Sequence, residues 1–451
     1  MNKYKLSQYS FLCSYELPEG NINLIFSGRS GSLIRVDDNA YVNIESCHFE
    51  KIAPSSFETL CQKKIIVPAG ENELLSINEE NKDIFRHKVK DVLYLSTQPT
   101  SNCQFGCIYC GQKHQSYNTS FETMDKILAR IEHKVAKTAT RKLEIGWFGG
   151  EPLCALSQMR ILNNGIKEIC RKHTVEYTSH LTTNGYLLSA PIYNELVRQF
   201  NMRGIEITID GDQRFHDKRR FLLNGKGSFN VIYANLLEII NSNNTMYPCM
   251  VSVRCNIDMQ NIDGVIPLLE KMAHDNLQRK IVFYFTEVVS WAKNGAGANE
   301  KEKRIMSDKI IEIMHVMLKF GFQCPVLPQR TAPKYCMATS PESEMYDAYG
   351  NVFDCSEISY TDVYDNSGLI LGSLSKNQSE NKFARSILGE YKSMLLSGQI
   401  KECSQCKYYP LCGGGCPKGL HEKEFRCPSF IYNIEERMLL KYLMMNKAYF
   451  K

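Results

Sequence analysis

Cys103, Cys107 and Cys110 stand in the run Ser101-Asn-Cys-Gln-Phe-Gly-Cys-Ile-Tyr-Cys-Gly111, a C-x3-C-x2-C spacing with Tyr109 just before the last thiol. A four-iron cubane wants four ligands, and three thiolates on one short loop can supply three of them. The fourth iron is then open to a ligand that is not protein. A cluster with an open iron can do chemistry, whereas a fully ligated one carries electrons or holds structure. The competing reading is a zinc knuckle, which needs a fourth ligand; His114 is the nearest candidate. A second run, Trp147-Phe-Gly-Gly-Glu-Pro-Leu153, pairs two glycines with Glu151. Glycines let a ligand approach the backbone closely, and a carboxylate accepts hydrogen bonds from an ammonium. An ordinary strand-to-helix turn ending at Pro152 is the plain alternative.

These groups need a frame. A chain of 451 residues exceeds one simple core, so two or three domains are expected. The 43% apolar and 23% charged content is that of a globular protein. A net charge of +5 without a Lys/Arg-rich run argues against a nucleic-acid partner. The longest apolar stretches, such as Ile281–Phe285, are strand-sized, well short of the roughly 20 residues of a membrane helix. No apolar run follows Met-Asn-Lys-Tyr-Lys at the N-terminus, so a secretory signal is not expected. The expected setting is therefore cytoplasmic and reducing, where 18 cysteines suit metal–sulfur sites better than disulfides.

Residues 91–322 alternate strand and helix. Strands are predicted at Val92–Ser96, Leu143–Phe148, Tyr177–Thr183, Gly204–Asp210, Met250–Ile257 and Ile281–Val288. Helices are predicted at Phe121–Lys137, Leu156–Lys172, Ala190–Phe200, Asn230–Asn241, Gly264–His274 and Glu302–Phe320. Six βα units imply an α/β fold with a parallel sheet, doubly wound or a partial barrel, whose reactive groups collect after the strand C-termini. Both chemical runs fall there.

Residues 1–90 read as a small winged-helix-like module. A hairpin is predicted from Asn23–Phe26 and Leu33–Val36, then helical spacing from Val42 to Leu60 broken at Pro54, and strand-like runs at Ile65–Pro68 and Leu74–Ile77. Asn78–Lys90 is polar enough for a linker. Residues 323–451 lose periodicity and gain cysteine and glycine, so this part is expected to depend on metal crosslinks, with helical spacing returning over Ile431–Tyr449.

The three-cysteine loop after the first strand and Gly-Gly-Glu-Pro after the second resemble the radical S-adenosylmethionine (radical SAM) superfamily. The resemblance implies a partial (β/α)6 barrel in which the open iron chelates the methionine end of SAM and releases a 5′-deoxyadenosyl radical. It implies Cys103, Cys107 and Cys110 as catalytic cluster ligands, Tyr109 near adenine, and Gly149, Gly150 and Glu151 at the methionine ammonium. Thr182-Thr-Asn-Gly185 adds Asn184 to the SAM contacts. Thr208-Ile-Asp-Gly211, with Thr where the family often has Ser, adds Thr208, and the following His216-Asp-Lys-Arg-Arg220 adds Arg220 for the carboxylate, with Arg219 as the competing choice.

Downstream, Cys336, Gly350 and Cys355 precede Cys403-x2-Cys406-x5-Cys412-x3-Cys416 and Cys427. This order resembles the SPASM extension of radical SAM peptide-modifying enzymes, which holds two auxiliary [4Fe-4S] clusters, so three clusters are expected in all. By resemblance, Cys403, Cys406, Cys412 and Cys427 ligate a distal cluster and Cys336, Cys355 and Cys416 a proximal one. The fourth proximal position is open, filled by substrate, or taken by Cys324. The other cysteines (13, 47, 61, 154, 170, 249, 255 and 324) read mostly as small buried hydrophobes, and Trp147 and Trp291 as core.

The resemblance implies hydrogen-atom abstraction from an unactivated carbon. The first expected function is maturation of a ribosomally made (RiPP) precursor peptide by a thioether or carbon–carbon crosslink, with the N-terminal module holding the leader and a flavodoxin or ferredoxin as reductant. The second resembles anaerobic sulfatase-maturating enzymes, which make formylglycine but begin close to their cluster motif. A non-catalytic iron–sulfur scaffold is the third; it would not need Gly149–Glu151, Thr208 or Arg220.

Overall fold

The computed structural model describes residues 3–18, 20–89, 91–242, 249–330, 336–375, 383 and 385–446. It begins with β1 (Tyr4–Leu6), β2 (Ser10–Leu17), β3 (Gly20–Ser27) and β4 (Leu33–Val36), followed by α1 (Asp38–Glu45), α2 (Pro54–Gln62), β5 (Ile66–Pro68) and α3 (Glu73–Val89). Strands β2, β3 and β4 form an antiparallel meander, and β1 pairs with β5. The expected hairpin is β3–β4, with Ile25 opposite Ile34. Pro54 opens α2 instead of interrupting a helix, since an N1 proline gives up no intrahelical bond. Two expectations are corrected. Leu74–Ile77 is helical rather than extended, and the polar stretch to Val89 continues that helix rather than forming a linker. Ile77 makes the difference: it is buried with Tyr9 and Tyr409, partners distant in sequence.

The central frame follows: β6 (Val92–Thr97), α4 (Phe121–Thr138), β7 (Lys142–Trp147), α5 (Leu156–His173), β8 (Glu176–Thr183), α6 (Ala190–Gln199), β9 (Met202–Thr208), α7 (Gln213–Arg219), α8 (Phe229–Ser242), β10 (Met250–Ile257), α9 (Val265–His274), β11 (Val282–Glu287) and α10 (Glu300–Phe320). All six predicted strands and helices are present. The six strands lie in chain order, β6 to β11, and every neighbouring pair is parallel. A doubly wound sheet would reverse its order at a switch point. An unreversed order with right-handed crossovers keeps the helices on one face, which gives an open partial barrel of the TIM type.

The outward positions of the strands are apolar. Leu93, Leu95, Leu143, Ile145, Trp147, Ile205, Ile207, Val251 and Val253 share one core with Met124, Ile127 and Ile131 of α4 and Met159, Leu162 and Ile166 of α5. Each buried aliphatic side chain contributes roughly 1.5–3 kcal/mol. The inward positions are polar: Tyr94, Glu144, His180, Glu206, Arg254 and Tyr284 are half-buried or more open. Tyr94 stacks on His180, His180 Nδ1 lies 3.4 Å from Glu144, and Tyr284 donates to Glu206.

After α10 come β12 (Glu344–Tyr346), β13 (Asn351–Phe353) and β14 (Ile370–Ser373), then α11 (Glu390–Leu396), α12 (Lys401–Ser404), α13 (Tyr409–Cys412), α14 (Pro417–His421) and α15 (Phe430–Met445). Strand β12 pairs parallel with β6, so the C-terminal part extends the barrel sheet to nine strands and does not close it. Glu344 on β12 sits between Arg130 (2.9 and 2.6 Å) and Lys134 (3.3 Å) of α4. The predicted last helix is α15; its expected end at Tyr449 lies outside the described residues. The N-terminal meander packs Phe11, Ile22, Leu24 and Phe26 against Leu411, Ile434 and Met438. No described helix is long and apolar enough to cross a membrane.

Candidate active site

The three-cysteine loop leaves the C-terminal end of β6 and is held from several sides by its own backbone. Gly106 N–H donates to Phe221 O (2.9 Å), Ile108 N–H to Arg219 O (3.1 Å) and Lys113 N–H to Tyr360 O (2.7 Å). Asn102 O accepts from Glu151 N–H at 2.8 Å, which ties the loop to the second motif. Gly149 and Gly150 have φ of +79° and +54°. A Cβ on Gly150 would stand 2.5 Å from Asn102 O, and one on Gly149 would meet the Gln98 side chain at 2.4 Å. Only glycine allows both the left-handed backbone and this approach.

All three thiols lie under the rim. Burial pushes Cys107 up to about 11, with Arg220 opposing and Cys110 adding to the rise. Burial and the nearby Glu151 carboxylate raise Cys103, and burial raises Cys110. Such thiols ionise readily only beside added positive charge, as bound metal provides. His114 Nε2 lies 3.6 Å from Cys110 Sγ, and its Nδ1 is buried without a partner.

Glu151 is buried and heavily engaged. It accepts from Thr183 Oγ1 (2.7 Å), Leu153 N–H (3.1 Å) and Asn184 N–H (2.7 Å). A carboxylate has about four acceptor sites, so one remains for a cationic ligand. Burial raises its pKa, and the Asn184 and Thr183 hydrogen bonds oppose that rise. Asn184 Nδ2 lies 4.0 Å from Cys103 Sγ, which joins the third strand end to the cluster loop. Thr208 is buried at the end of β9, opposite Arg254 on β10.

Tyr109 turns inward. Its hydroxyl donates to Asp210 Oδ2 (2.5 Å) and accepts from Arg220 Nη1 (2.5 Å) and Asn256 Nδ2 (3.0 Å). The two arginines separate clearly here. Arg219 Nη1 is paired with both Asp258 oxygens, at 2.8 and 2.7 Å. Arg220 is also buried, but its hydrogen bond goes to a phenol rather than a carboxylate; Nε of both arginines and Nη2 of Arg219 have no partner. Burial alone would lower the Arg220 pKa; the adjacent Cys107, Tyr109 and Asp210 hold it well up. A buried, charged fork of donors beside three thiols suits a carboxylate ligand.

Arg220 is positioned by a chain that motif reading missed. His216 is fully buried, and burial with the two arginines holds its pKa well down, so it is neutral. Its Nδ1 accepts from Asp210 N–H at 3.1 Å, which assigns the proton to Nε2, 3.0 Å from Ser228 Oγ. Ser228 Oγ in turn donates to Arg220 O. Asn256 was missed as well. Its signal was its type and place, a polar residue at the C-terminal end of a predicted barrel strand. Trp291 corrects the core expectation: it is half-buried and its ring fills the space beside Gly111, 2.5 Å from where a Cβ would lie.

The C-terminal cysteines form two groups. The Cys355 thiol is pushed well up by burial and by the Glu357 carboxylate, with Cys336 and Cys416 adding to the rise. Cys403 is pushed up to about 12 by burial together with Cys412, Cys406 and Cys427. Between Cys412 and Cys416, Gly413, Gly414 and Gly415 all have positive φ (69°, 88° and 79°). Side-chain-bearing residues rarely adopt even one such conformation, and three in a row turn the chain so that Cys412 and Cys416 face different groups. Cys324 packs on the main barrel core near Arg437, whereas Cys336 packs on a separate cluster with Ala338 and Met345. Among the described residues no three His, Cys, Asp or Glu are drawn in tightly enough for a single ion, and all eighteen cysteines are free. Cys170, Cys249 and Cys255 are buried in the core as expected, whereas Cys154 bonds Gln104 at 3.2 Å beside the cluster loop.

The radical SAM superfamily model matches residues 97–251, a span that holds the three-cysteine loop, Gly149–Glu151, Thr208 and Arg220. The chain carries a radical SAM domain. It is similar to a cysteine-type anaerobic sulfatase-maturating enzyme of Clostridium novyi, 22% identical over 387 residues, which are 80% of this chain and 99% of that one. It is also similar to the radical SAM cyclopropyl synthase TigE of Paramaledivibacter caminithermalis, 27% identical over 224 residues, 46% of this chain and 44% of that one. In fold it resembles anSMEcpe with bound AdoMet and Kp18Cys peptide: TM-score 0.56, 18% identity, 79% of this chain and 99% of the other. The radical SAM domain brings SAM and one [4Fe-4S] cluster as its cofactors. The donor set fits them: three thiols on one loop, a buried Arg220 with an unpartnered Nε, and a carboxylate with one free acceptor site.

Proposed function

We propose that this protein is a radical SAM maturase of a ribosomally made precursor peptide, forming a thioether or carbon–carbon crosslink. Cys103, Cys107 and Cys110 hold the SAM cluster; Gly149, Gly150, Glu151, Asn184, Thr208, Tyr109 and Arg220 hold SAM. Two auxiliary [4Fe-4S] clusters sit on Cys403, Cys406, Cys412 and Cys427 and on Cys336, Cys355 and Cys416, the latter with an open or substrate-filled fourth position. Residues 1–90, 91–322 and 323–451 act as leader module, radical SAM core and auxiliary-cluster region, in a cytoplasmic setting with a flavodoxin or ferredoxin as reductant. For a thioether, one C–H and one S–H bond break and a C–S bond forms. The hydrogen atom goes to 5′-deoxyadenosine, the proton to a base and one electron to an auxiliary cluster.

The observation that carries this reading is the N-terminal module, a three-stranded meander followed by helices. Its strand β4 has β3 as its ladder partner and a second edge with no described partner. Such an edge can receive an extended leader as an added strand. The second reading, formylglycine formation on a sulfatase, is favoured by the match to 99% of the Clostridium novyi enzyme, though a fifth of this chain lies outside that match.

The test is anaerobic reconstitution with SAM, dithionite and each short peptide encoded beside the gene. The maturase reading expects 5′-deoxyadenosine and a peptide lighter by two hydrogens, with a crosslink located by fragmentation. Formylglycine in a neighbouring sulfatase would reverse the ranking, and absence of 5′-deoxyadenosine would sink both in favour of a scaffold.

A further inference from the structure

Arg426 stands where the cysteine-bearing segments meet. It immediately precedes Cys427 of the distal group. Its Nη1 donates to Cys416 Sγ of the proximal group at 3.8 Å and to Glu357 Oε2 at 2.8 Å, two residues beyond Cys355. Its Nη2 donates to Ser290 O at 2.8 Å, in the loop that follows β11. That loop also reaches the SAM-cluster segment: Asn294 Nδ2 donates to Tyr109 O at 3.0 Å, while Trp291 lies against Gly111 and donates from Nε1 to Glu357 O at 2.8 Å.

The guanidinium is 10% exposed, so its field at the sulfur is little screened. Behind it Lys418, 1% exposed, lies 2.9 Å from Glu422 and 3.4 Å from Glu357. Glu422 also accepts from Tyr364 at 2.6 Å. Glu422 also lies 3.7 Å from Arg426 Nη2, and Arg385 faces Asp354 at 3.6 Å; of these charges it is Arg426 that donates to a proximal sulfur, with Glu357 opposing it at 2.8 Å.

We propose that Arg426 sets the reduction potential of an iron–sulfur cluster held by Cys336, Cys355 and Cys416, by donating a charge-assisted hydrogen bond to the Cys416 sulfur. The inference rests on the auxiliary-cluster part of the proposed function. Reduction adds negative charge to a cluster, and a cationic N–H donor at a ligand sulfur stabilises the more negative form, which raises the potential. A raised potential makes this cluster the better acceptor for the electron left after bond formation. Glu357 acts in the opposite sense.

The test is a redox titration of the full-length, anaerobically reconstituted protein, followed by electron paramagnetic resonance with and without SAM. Signals that SAM leaves unchanged report auxiliary clusters. Arg426→Gln is expected to lower one such midpoint, so that the reduced fraction at fixed potential falls about tenfold, equal to about 59 mV for a one-electron couple. Arg426→Lys keeps the charge and should recover part of that shift. Glu357→Gln should move the same midpoint upward, and opposite signs are not what general loosening produces. If Arg426→Gln loses iron, Arg426→Lys and Glu357→Gln decide by the same signs. Unchanged midpoints at full iron content, or shifts of Arg426→Gln and Glu357→Gln in one direction, overturn the inference. Parent protein with about four irons per chain rather than about twelve overturns the auxiliary-cluster reading itself, and this inference with it.

Discussion

The cysteine loop at the barrel rim and the cysteines of the C-terminal part are held in different ways. The rim loop hangs from β6 and is pinned by backbone hydrogen bonds to Arg219 and Phe221 at the end of α7, to Glu151 beyond β7 and to Tyr360. The C-terminal cysteines ride on helices as short as α12 and α13, four residues each, and on a triple-glycine turn. Such pieces are below the length at which helices hold themselves. One site is shaped by the fold before any metal arrives; under the proposed function the other would need metal to complete its fold.

Five experiments break or sharpen this contrast. The largest effect is expected from Cys103→Ala, which should abolish 5′-deoxyadenosine formation, by at least about a thousandfold, with the circular dichroism spectrum unchanged. Cys403→Ala should leave SAM cleavage measurable and block product; product at the parental rate would remove the distal cluster from the mechanism. Next, stripping iron with a chelator should open residues 403–427 to proteolysis and hydrogen exchange while β6–β11 stay protected. Equal loosening of both regions would erase the contrast.

Smaller is the effect of Arg220→Gln, a raised KM for SAM of about 10- to 100-fold, matching roughly 1.5–3 kcal/mol for a hydrogen bond to a charged group. Arg219→Gln should act mainly on thermal stability through Asp258; the reverse assignment would exchange the two roles. The smallest effect concerns β12 in the metal-free protein. Burial raises the Glu344 pKa, but Arg130 and Lys134 outweigh it and the group ends below the ordinary value. A depressed folded pKa adds stability above the unfolded value of about 4.3, and that stability is lost as pH falls through the folded pKa. Melting followed from pH 7 downward should therefore show an acid loss in the parent that is weaker in Glu344→Gln.

The barrel was legible because each strand and helix carries its own period, and because long segments such as Phe121–Thr138 and Glu300–Phe320 leave little doubt between periods. Four apolar residues at Leu74–Ile77 do not separate helix from strand, and burial of Ile77 by Tyr9 and Tyr409 decides it from a distance. Strand β2 was missed because Ser10–Leu17 mixes apolar and polar residues on a strand covered only in part by α15. The three-residue strands β12 and β13 have no local period; the β6 ladder makes β12 a strand. In the site, the cysteines were readable from type and spacing. Ser228, Asn256 and Arg426 are tied in by side-chain hydrogen bonds to residues outside any motif spacing, and no spacing rule announces those.

The shared core of Phe11, Leu24 and Phe26 with Ile434 and Met438 has a consequence for synthesis. Tyr15 bonds Glu435 O across 420 residues, so strands β2–β4, made before the barrel, wait for α15 before their second face is covered. The nascent chain thus carries an exposed apolar strand face until α15 is made, and the whole barrel must emerge before the two segments can clasp. A stop codon placed just before α15 should therefore harm strands β2–β4 more than the barrel.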